Sequence, residues 1–508
     1  QLTPRNSERD EIGASIGDRA AADVMEKLFD KDDQGVDVDW RISTSGGLGG
    51  TGSGDVPARF ETAVRGDAGE RIYEFSAFDL PRREDSLFLR KKGDHGTESL
   101  IKRRLRTSRV IGEQRDLVTM FVDPRRNLKP SNDLLEKDSH FIELDPAKRE
   151  ALEALWSTSP THLVVGPPGV GKTRLVSEII RRKLANEPAA SILVSSQSHQ
   201  ALDHVLRATD RVLNKYGTDA IVVRSPGPEG SISTDADIRL RAIEYLEKAS
   251  ASTLATNSPA GLQSGLRELL GAFKQAARPD AGNTEQRENE GMRAHTALVL
   301  DSANLVFSTS TSADVERLVD EGSQFDWAII EEAAKAAGPD LLAPLSLSGR
   351  RLFIGDHKQL PPFDSERINA ILADGSVVRS LLKGADRIIG SAFYDTGLEE
   401  LTAVAADDSQ LDRVRSMAIR VFEPFRALVL EDESRRAIVG GARKAASSEL
   451  LVQHRMDPDI ARLVSACFYN DRLTTNEKRI AAAVNPLPDG EPAYLDAAFD
   501  QIDKDYGS

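Results

Sequence analysis

The chain has 508 residues, with 66 basic and 81 acidic side chains and a net charge of −15. This balance excludes a protein whose whole surface coats nucleic acid, and 40% apolar residues are enough to build a large core. The single cysteine, Cys467, excludes an internal disulfide framework, and we expect it to be buried as a small apolar side chain. No run of about 18 apolar residues and no apolar leader are present, which predicts a cytoplasmic protein.

The first 143 residues carry no motif with a known chemistry. Residues 7–31 have the spacing of an amphipathic helix, and half of the residues in 43–54 are glycine, which is typical of a flexible loop. Residues 82–129 contain 14 Lys or Arg and 7 Asp or Glu, a basic segment in an acidic chain. Its densest part, at 102–106, is either a solvated helical face or a patch that contacts phosphates.

From residue 144 onward, short apolar runs alternate with turns and helices. Such runs are typical of strands in a parallel sheet that helices cover on both faces. The polar stretch at about 205–298 predicts a helical insertion, and residues 375–449 have mainly helical patterns. The predicted fold class is therefore α/β, and the predicted strands are at 163–165, 192–194, 327–330 and 352–354.

A phosphate-binding loop follows the first of these strands. The sequence fits G-x-x-x-x-G-K-[ST] at every required position, and apolar residues at helical spacing come directly after it. Backbone N–H groups of such a loop surround phosphate oxygens at a helix N-terminus, and without a ligand the same residues would form only a glycine-rich turn. We expect the lysine to reach the β- and γ-phosphates of ATP and the threonine hydroxyl to bind Mg²⁺. The loop residues are Gly166, Pro167, Pro168, Gly169, Val170, Gly171, Lys172 and Thr173.

Two glutamates end the third predicted strand. Glu331 is placed to organise Mg²⁺, and Glu332 is placed to orient or deprotonate the attacking water. By themselves, two glutamates after a strand could simply open a helix, where negative charge suits the helix dipole.

The fourth predicted strand ends in the polar turn at 355–359, followed by two prolines. Ligands of open α/β sheets bind outside the carboxyl ends of the strands, so we expect this turn to lie beside the nucleotide. Gln359 can hydrogen-bond both a γ-phosphate and a water, which makes it a candidate sensor of the nucleotide state. The alternative is an ordinary strand and turn that the prolines end.

These segments together resemble motifs I, II and III of superfamily 1 helicases, particularly the Upf-type group of superfamily 1B. The run Gln453-His454-Arg455-Met456 is similar to motif IV of that family, which implies that Arg455 reaches the γ-phosphate from a second motor domain. The resemblance covers about residues 141–475 and implies RecA-like P-loop domains. It also implies contacts with a nucleic-acid backbone at two strand ends, through Ser196, Gln197, Ser198, His199, Ser308 and Thr309.

The chain departs from the family pattern at several positions. Motif II usually begins with Asp, but Glu331 stands there, and Lys335 stands where Gln is common. Lys148 occupies the place of the adenine-reading Gln, and lysine is a donor only, so it cannot make the two-way contact that an amide makes with adenine. Motifs V and VI are expected after Leu473, yet 474–508 cannot hold them. We therefore expect that segments are missing from this sequence or that a partner chain completes the motor.

The predicted organisation has three parts. Residues 1–143 form an N-terminal accessory region, a stalk and barrel by analogy. Residues 144–365 form the first RecA-like domain, which carries the helical insertion. Residues 366–508 form linker helices and the start of an incomplete second RecA-like domain.

The function that follows is an ATP-dependent helicase or translocase on single-stranded RNA or DNA, and the resemblance implies 5′ to 3′ travel. The alternative is an ATP-dependent switch or clamp that binds nucleic acid or protein without processive unwinding. A third reading is a P-loop scaffold that barely hydrolyses nucleotide, although Glu332 and Arg455 argue against it. Large bacterial helicases of this group occur in antiviral defence, which implies a protein partner in a bacterial defence complex and no membrane partner.

Overall fold

The computed structural model describes most of the residues in the chain. These are residues 2–6, 11–16, 40–43, 56–65, 71–77, 88–91, 104, 114–122, 128–131, 133–225, 236–276, 290–389, 400, 403, 406–439 and 446–483. The predicted glycine-rich loop lies outside them apart from Ser43, and so does most of the basic segment.

The N-terminal part contains a six-stranded antiparallel sheet with the strand order β1-β2-β5-β4-β3-β6. The helix expected at 7–31 is wrong at residues 11–16, where Ile12, Ala14 and Ile16 alternate with other residues at the two-residue period of a strand. The rest of that predicted helix lies outside the described residues. The strands are β1 Leu2–Asn6, β2 Glu11–Ile16, β3 Trp40–Ser43, β4 Val56–Arg65, β5 Arg71–Ala77 and β6 Phe88–Lys91.

The central sheet has seven strands, all parallel, in the order β11-β12-β10-β13-β14-β9-β15. Four of its five inner strands include the predicted apolar runs, and all five residues of each are buried because helices cover both faces. The predicted α/β fold is confirmed. The strands are β9 Thr161–Val165, β10 Ile192–Ser196, β11 Val222–Arg224, β12 Leu305–Thr309, β13 Trp327–Glu331, β14 Arg351–Gly355 and β15 Ser447–Glu449.

The insertion expected at about 205–298 is not helical throughout. Residues 199–216 form a helix against the sheet, and Val222–Arg224 is an edge strand of that sheet. The inserted helices follow this strand. Likewise, Ser447–Glu449 interrupts the region expected to be mainly helical and pairs with β9.

Helices and short strands complete the structure. The helices up to the P-loop region are α1 Arg115–Val122, α2 Ser139–Glu143, α3 Pro146–Ser157 and α4 Lys172–Asn186. Those of the middle region are α5 His199–Tyr216, α6 Ile238–Ala251, α7 Thr253–Thr256, α8 Ala260–Ala276, α9 Glu290–Asp301, α10 Ala313–Asp320 and α11 Gly338–Ser346, with a 3-10 turn at Ala333–Lys335. The last are α12 Ser365–Ala373, α13 Gly375–Ile389, α14 Asp408–Phe422, α15 Pro424–Val439, α16 Pro458–Phe468 and α17 Glu477–Ala483. Four two-residue strands form two further small sheets: β7 Lys129–Pro130 with β8 Thr158–Ser159, and β16 Val452–Gln453 with β17 Thr474–Thr475.

Part of the N-terminal region packs on the central sheet. Leu117, Met120 and Phe121 of α1 are buried in the same apolar cluster as α11 and α15. A bidentate ion pair joins Arg104 to Asp340 at the start of α11, with Nε–Oδ1 and Nη2–Oδ2 distances of 2.7 and 3.0 Å. Arg104 is therefore engaged within the protein, whereas the other basic residues of 102–106 lie outside the described residues.

Two further expectations concern the surface. Cys467 is exposed near the end of α16, so the expectation that it is buried is wrong. The apolar side of this helix that packs inward is formed by other residues, such as Ala461. In the part of the chain that the structure describes, no helix is both long and apolar enough to cross a membrane.

Candidate nucleotide and nucleic-acid site

The P-loop connects β9 to the N-terminus of α4. Gly169 and Gly171 have φ values of 80° and 84°, a backbone region that glycine enters without the penalty of a Cβ, and Gly171 caps the helix. The N–H of Gly166 donates to the carbonyl of Gly355 at 3.0 Å, which ties the loop to the end of β14. The loop thus has the left-handed turns that let successive N–H groups face a phosphate.

Lys172 lies at the centre of a group of carboxylates. Its ammonium donates to the carbonyls of Gly166 and Pro167 at 2.7 and 3.2 Å. Burial lowers the pKa of Lys172, while the charges of Glu331, Asp356 and Glu332 act in the opposite direction. The ends of β13 and β14 therefore bring their acidic residues within electrostatic reach of the P-loop lysine.

Glu331 is the last residue of β13 and is only 4% exposed. Burial raises the pKa of this carboxyl to about 7, and the charge of Glu332 adds to the effect of burial, whereas Lys172 opposes it. Among the described residues, no group donates a hydrogen bond to Glu331 Oε1. A buried carboxylate oxygen without a hydrogen-bond donor is suited to be a cation ligand, since a divalent ion would compensate its negative charge.

The donor set fits Mg²⁺ better than a metal that needs a closed protein cage. In the described part of the chain, no group of three or more His, Cys, Asp or Glu side chains could hold a metal ion. Mg²⁺ commonly takes one or two protein oxygens and completes its shell with phosphates and waters. Thr173 at the start of α4 and Glu331 at the end of β13 are the residues that would hold it.

Glu332 adopts an unusual backbone conformation directly after β13. Its φ is 54° and its ψ is 34°, a left-handed conformation that costs a non-glycine residue on the order of 1 kcal/mol. Its carboxylate forms an ion pair with Lys335, the residue that stands where the family commonly has Gln. The chain thus turns directly after β13, and the ion pair with Lys335 holds the Glu332 carboxylate.

The turn after β14 holds Gln359 beside a buried carboxylate. Gln359 Nε2 donates to Asp356 Oδ2 at 2.9 Å, and the Gln359 N–H donates to the Asp356 carbonyl at 3.1 Å. Asp356 is 2% exposed. The amide of the predicted sensor is therefore bound to its own turn in this arrangement.

Arg455 lies against the P-loop. The N–H of His454 donates to the carbonyl of Gly169 at 2.9 Å, and a Cβ added to Gly169 would lie 2.7 Å from the Cβ of Arg455. The residues from motif IV therefore meet the loop directly, although 282 positions separate Gly171 from Gln453 in the sequence.

Gln453 forms the turn that presents Arg455, and sequence reasoning assigned it no role. It is fully buried, and its Oε1 accepts from the N–H groups of Arg455 and Met456 at 2.8 and 2.7 Å. Its Nε2 donates to the Met456 carbonyl at 3.0 Å and to Thr475 Oγ1 at 2.9 Å. All four hydrogen-bonding positions of the amide are thus used, which fixes the loop.

Lys148 is committed to protein partners. It is 3% exposed, forms an ion pair with Asp145, and lies 3.5 Å from His454 Nε2. Asp145 also caps α3 by accepting from the Lys148 N–H at 3.0 Å. A Cβ at Gly171 would meet Lys148 Nζ at 3.1 Å, so this ammonium lies beside the P-loop.

The residues expected to touch nucleic acid lie at adjacent strand ends but differ in exposure. Ser196 and Thr309 face each other in neighbouring strands, and Ser308 is bonded to Ser312 Oγ at 2.6 Å. Ser196, Ser308 and Thr309 are buried, so their hydroxyls are not accessible to a backbone phosphate in this arrangement. Ser198, which caps α5, is exposed.

Gln197 and His199 are half-buried and have protein partners. Gln197 Nε2 donates to Asp340 Oδ2 at 3.0 Å, the carboxylate that also binds Arg104. The buried Arg224 donates to His199 Nδ1 at 2.9 Å and is held by Asp203. Burial, followed by the charge of Arg224, lowers the pKa of His199, so the ring is neutral with its proton on Nε2.

A family model described as an AAA domain matches residues 143–364, the region of the sheet and its P-loop. The chain is 26% identical over 241 residues to the DNA-binding protein SMUBP-2 of Rattus norvegicus, covering 43% of this chain and 22% of that protein. It is 28% identical over 223 residues to a regulator of nonsense transcripts 1 homolog of Neurospora crassa, covering 43% and 18%.

A third relative is named as a helicase. The DNA replication ATP-dependent helicase/nuclease DNA2 of Saccharomyces cerevisiae is 23% identical over 276 residues, covering 52% of this chain and 14% of that protein. The region matched by these relatives is similar to part of a named helicase, in agreement with the resemblance to superfamily 1 helicases. A regulator of nonsense transcripts among the relatives agrees with the resemblance to the Upf-type group. The chain spans less than a quarter of the length of these three relatives.

Proposed function

We propose that the chain hydrolyses ATP at the P-loop to drive a helicase or translocase on single-stranded nucleic acid. The observation that carries this proposal is the packing of the turn at 453–456 on Gly169, in a loop whose lysine, Lys172, is within electrostatic reach of three carboxylates. A protein that only bound nucleotide would need neither a base nor an arginine at the loop.

Each residue of the site has a distinct role in this proposal. Lys172 neutralises charge on the β- and γ-phosphates, and Glu332 orients the attacking water after it leaves the ion pair with Lys335. Arg455 lies close enough to the loop to stabilise charge that develops on the transferred phosphoryl group, a contribution worth about 10³–10⁵-fold in related enzymes. Thr173 and Glu331 would hold Mg²⁺, which when bound neutralises phosphate charge.

The nucleic-acid track is proposed at the carboxyl ends of β10 and β12. Ser198 and the Nε2–H of His199 are neutral donors suited to phosphate oxygens, and they lie at the N-terminus of α5, where the helix dipole favours an anion. Backbone contacts of this kind carry little sequence information, so we expect weak sequence preference and strong salt dependence. The 5′ to 3′ direction rests on the resemblance to superfamily 1B.

The test is steady-state ATP hydrolysis with and without a single-stranded oligonucleotide at low salt. We expect stimulation in the wild type and loss of hydrolysis in Lys172→Ala. The matched control is Lys183→Ala, which removes a lysine of the same helix that pairs with Glu187 at 2.5 Å. If the oligonucleotide does not stimulate hydrolysis, the proposed motor function is refuted.

Binding, strand-displacement and translocation assays separate the motor from a nucleotide-dependent clamp. A clamp would change its affinity for the oligonucleotide with ATP, measured by fluorescence anisotropy, and would neither displace a strand nor translocate. RNA and DNA oligonucleotides of one sequence decide between the two substrates. A protein partner in antiviral defence stays a prediction that only the resemblance supports.

A further inference from the structure

Asp356 is the centre of a buried hydrogen-bond cluster that joins two distant parts of the chain. Its Oδ2 accepts from the Gln359 amide at 2.9 Å and from the Tyr469 hydroxyl at 2.6 Å, and its Oδ1 accepts from the Lys358 N–H at 3.1 Å. Asp356 and Tyr469 are 2% and 6% exposed. Burial, followed by the hydrogen bond to Asp356, raises the pKa of the Tyr469 phenol, so the hydroxyl donates to the carboxylate at neutral pH.

A second contact joins the same turn to the same helix end. Lys358 Nζ donates to the carbonyl of Phe468, the last residue of α16, at 2.7 Å and lies 5.2 Å from the centre of the Tyr469 ring. The turn after β14 is therefore bound at two points to the C-terminal end of α16.

The other end of α16 adjoins Arg455. The helix begins at Pro458, three positions after that arginine, and its eleven residues span about 16 Å at 1.5 Å each. A helix transmits displacement along its axis with little internal change. Helix α16 thus links the sensor turn to the loop that presents Arg455.

We propose that Tyr469 is a positioning residue that allows Gln359 to exchange Asp356 for the γ-phosphate and passes this exchange to the Arg455 loop through α16. The proposal rests on the function proposed above. It adds a residue outside the loop motifs, 113 positions from Asp356 in the sequence.

This role of Tyr469 follows from the free-energy cost of a buried carboxylate that lacks hydrogen-bond donors. When the Gln359 amide turns away, Asp356 loses one of its donors, and a buried anion without donors is strongly disfavoured. The Tyr469 hydroxyl stays on the same oxygen and keeps the carboxylate satisfied. Without that hydroxyl, Gln359 is the only side chain among the described residues that still donates to Asp356, so its amide is held there.

The experiment compares Tyr469→Phe with the wild type in oligonucleotide-stimulated ATP hydrolysis. The substitution removes one oxygen atom and keeps the ring. We expect kcat to fall about tenfold, the effect of one hydrogen bond to a charged group, with the KM for ATP within about twofold of the wild type. The matched control is Tyr216→Phe, since the Tyr216 hydroxyl also has a part-buried partner, His140 Nδ1 at 2.9 Å, at the far end of α5. It should leave kcat unchanged.

A double-mutant cycle with Gln359→Ala separates positioning from a general structural effect. If Tyr469 acts through Gln359, Tyr469→Phe should lower kcat in the wild type and change it little in Gln359→Ala. Equal losses in both backgrounds, or no loss in either, would overturn the proposal. A wild type without stimulated hydrolysis would instead refute the proposed function, so the two failures are distinguishable.

A second variant keeps the test informative if Tyr469→Phe does not fold. Lys358→Met keeps the aliphatic stem and removes the ammonium with its bond to the Phe468 carbonyl and its contact with the Tyr469 ring. We expect a smaller fall in kcat in the same direction, because this bond is more exposed. Turnover equal to the wild type would contradict the link between the turn and α16.

Discussion

Gln453 offers the sharpest test of how the Arg455 loop is formed. We expect Gln453→Leu, which keeps a similar volume, to remove four hydrogen bonds at once. The N–H groups of Arg455 and Met456 lose their acceptor, and each unsatisfied group costs about 1–3 kcal/mol. Because both residues are partly accessible to water, we expect a loss of about 2–4 kcal/mol in the free energy of unfolding.

The effect on hydrolysis should exceed the effect on nucleotide binding. Arg455 depends on this turn for its place against Gly169, so we expect kcat to fall at least about tenfold, within the range ascribed to such arginines. Urea unfolding gives the stability change, and steady-state hydrolysis well below the melting temperature gives kcat.

The control for this prediction is Gln263→Leu in the helical insertion. That amide also donates to two carbonyls, those of Thr256 and Ser258 at 3.1 and 2.9 Å, but it lies in the inserted helices. Gln263→Leu should change the free energy of unfolding by less than about 1 kcal/mol and should not change kcat. If Gln453→Leu kept the wild-type kcat, the reasoning that this amide places Arg455 would be refuted.

Three other predictions follow from the described side chains. Glu332→Gln should keep nucleotide affinity, measured by equilibrium binding, and lower turnover at least about a hundredfold; persisting turnover would place the base elsewhere. Because Lys148 is bound to Asp145, the wild type should hydrolyse ATP and GTP within about tenfold of each other, and a strong preference for ATP would contradict this. Burial alone would raise the pKa of Asp138, but hydrogen bonds from the Phe141 N–H and two arginines lower it from 3.8 to about 2. A lowered folded-state pKa stabilises the protein above the unfolded value and less as the pH falls towards 2. Asp138→Asn should therefore cost about 1–2 kcal/mol at pH 7 after allowance for solvent screening, and the difference in urea unfolding should shrink between pH 5 and pH 3; a constant difference would refute it.

The sequence by itself determined the motor fold and most of the nucleotide loop. Apolar runs such as 327–330 can only be buried on both faces, and a glycine at Gly169 or Gly171 is required where φ is positive, so local chemistry identifies strand and loop. Local pattern failed at residues 11–16 and at Val222–Arg224, where pairing with neighbouring strands decided the structure. Such pairing is not encoded in the spacing of one segment.

Only the tertiary structure decided which side chains meet. The contacts of Tyr469 with Asp356, of Arg104 with Asp340, and of the 453–456 turn with the P-loop join residues more than a hundred positions apart. The pattern of residues within one segment does not indicate these pairs, since each partner is an ordinary polar or charged residue in the sequence. The burial of Ser196 and Ser308 likewise depends on helices packed over the strand ends. The sequence alone does not determine this burial, because a hydroxyl group is suited both to a buried hydrogen bond and to a contact with phosphate.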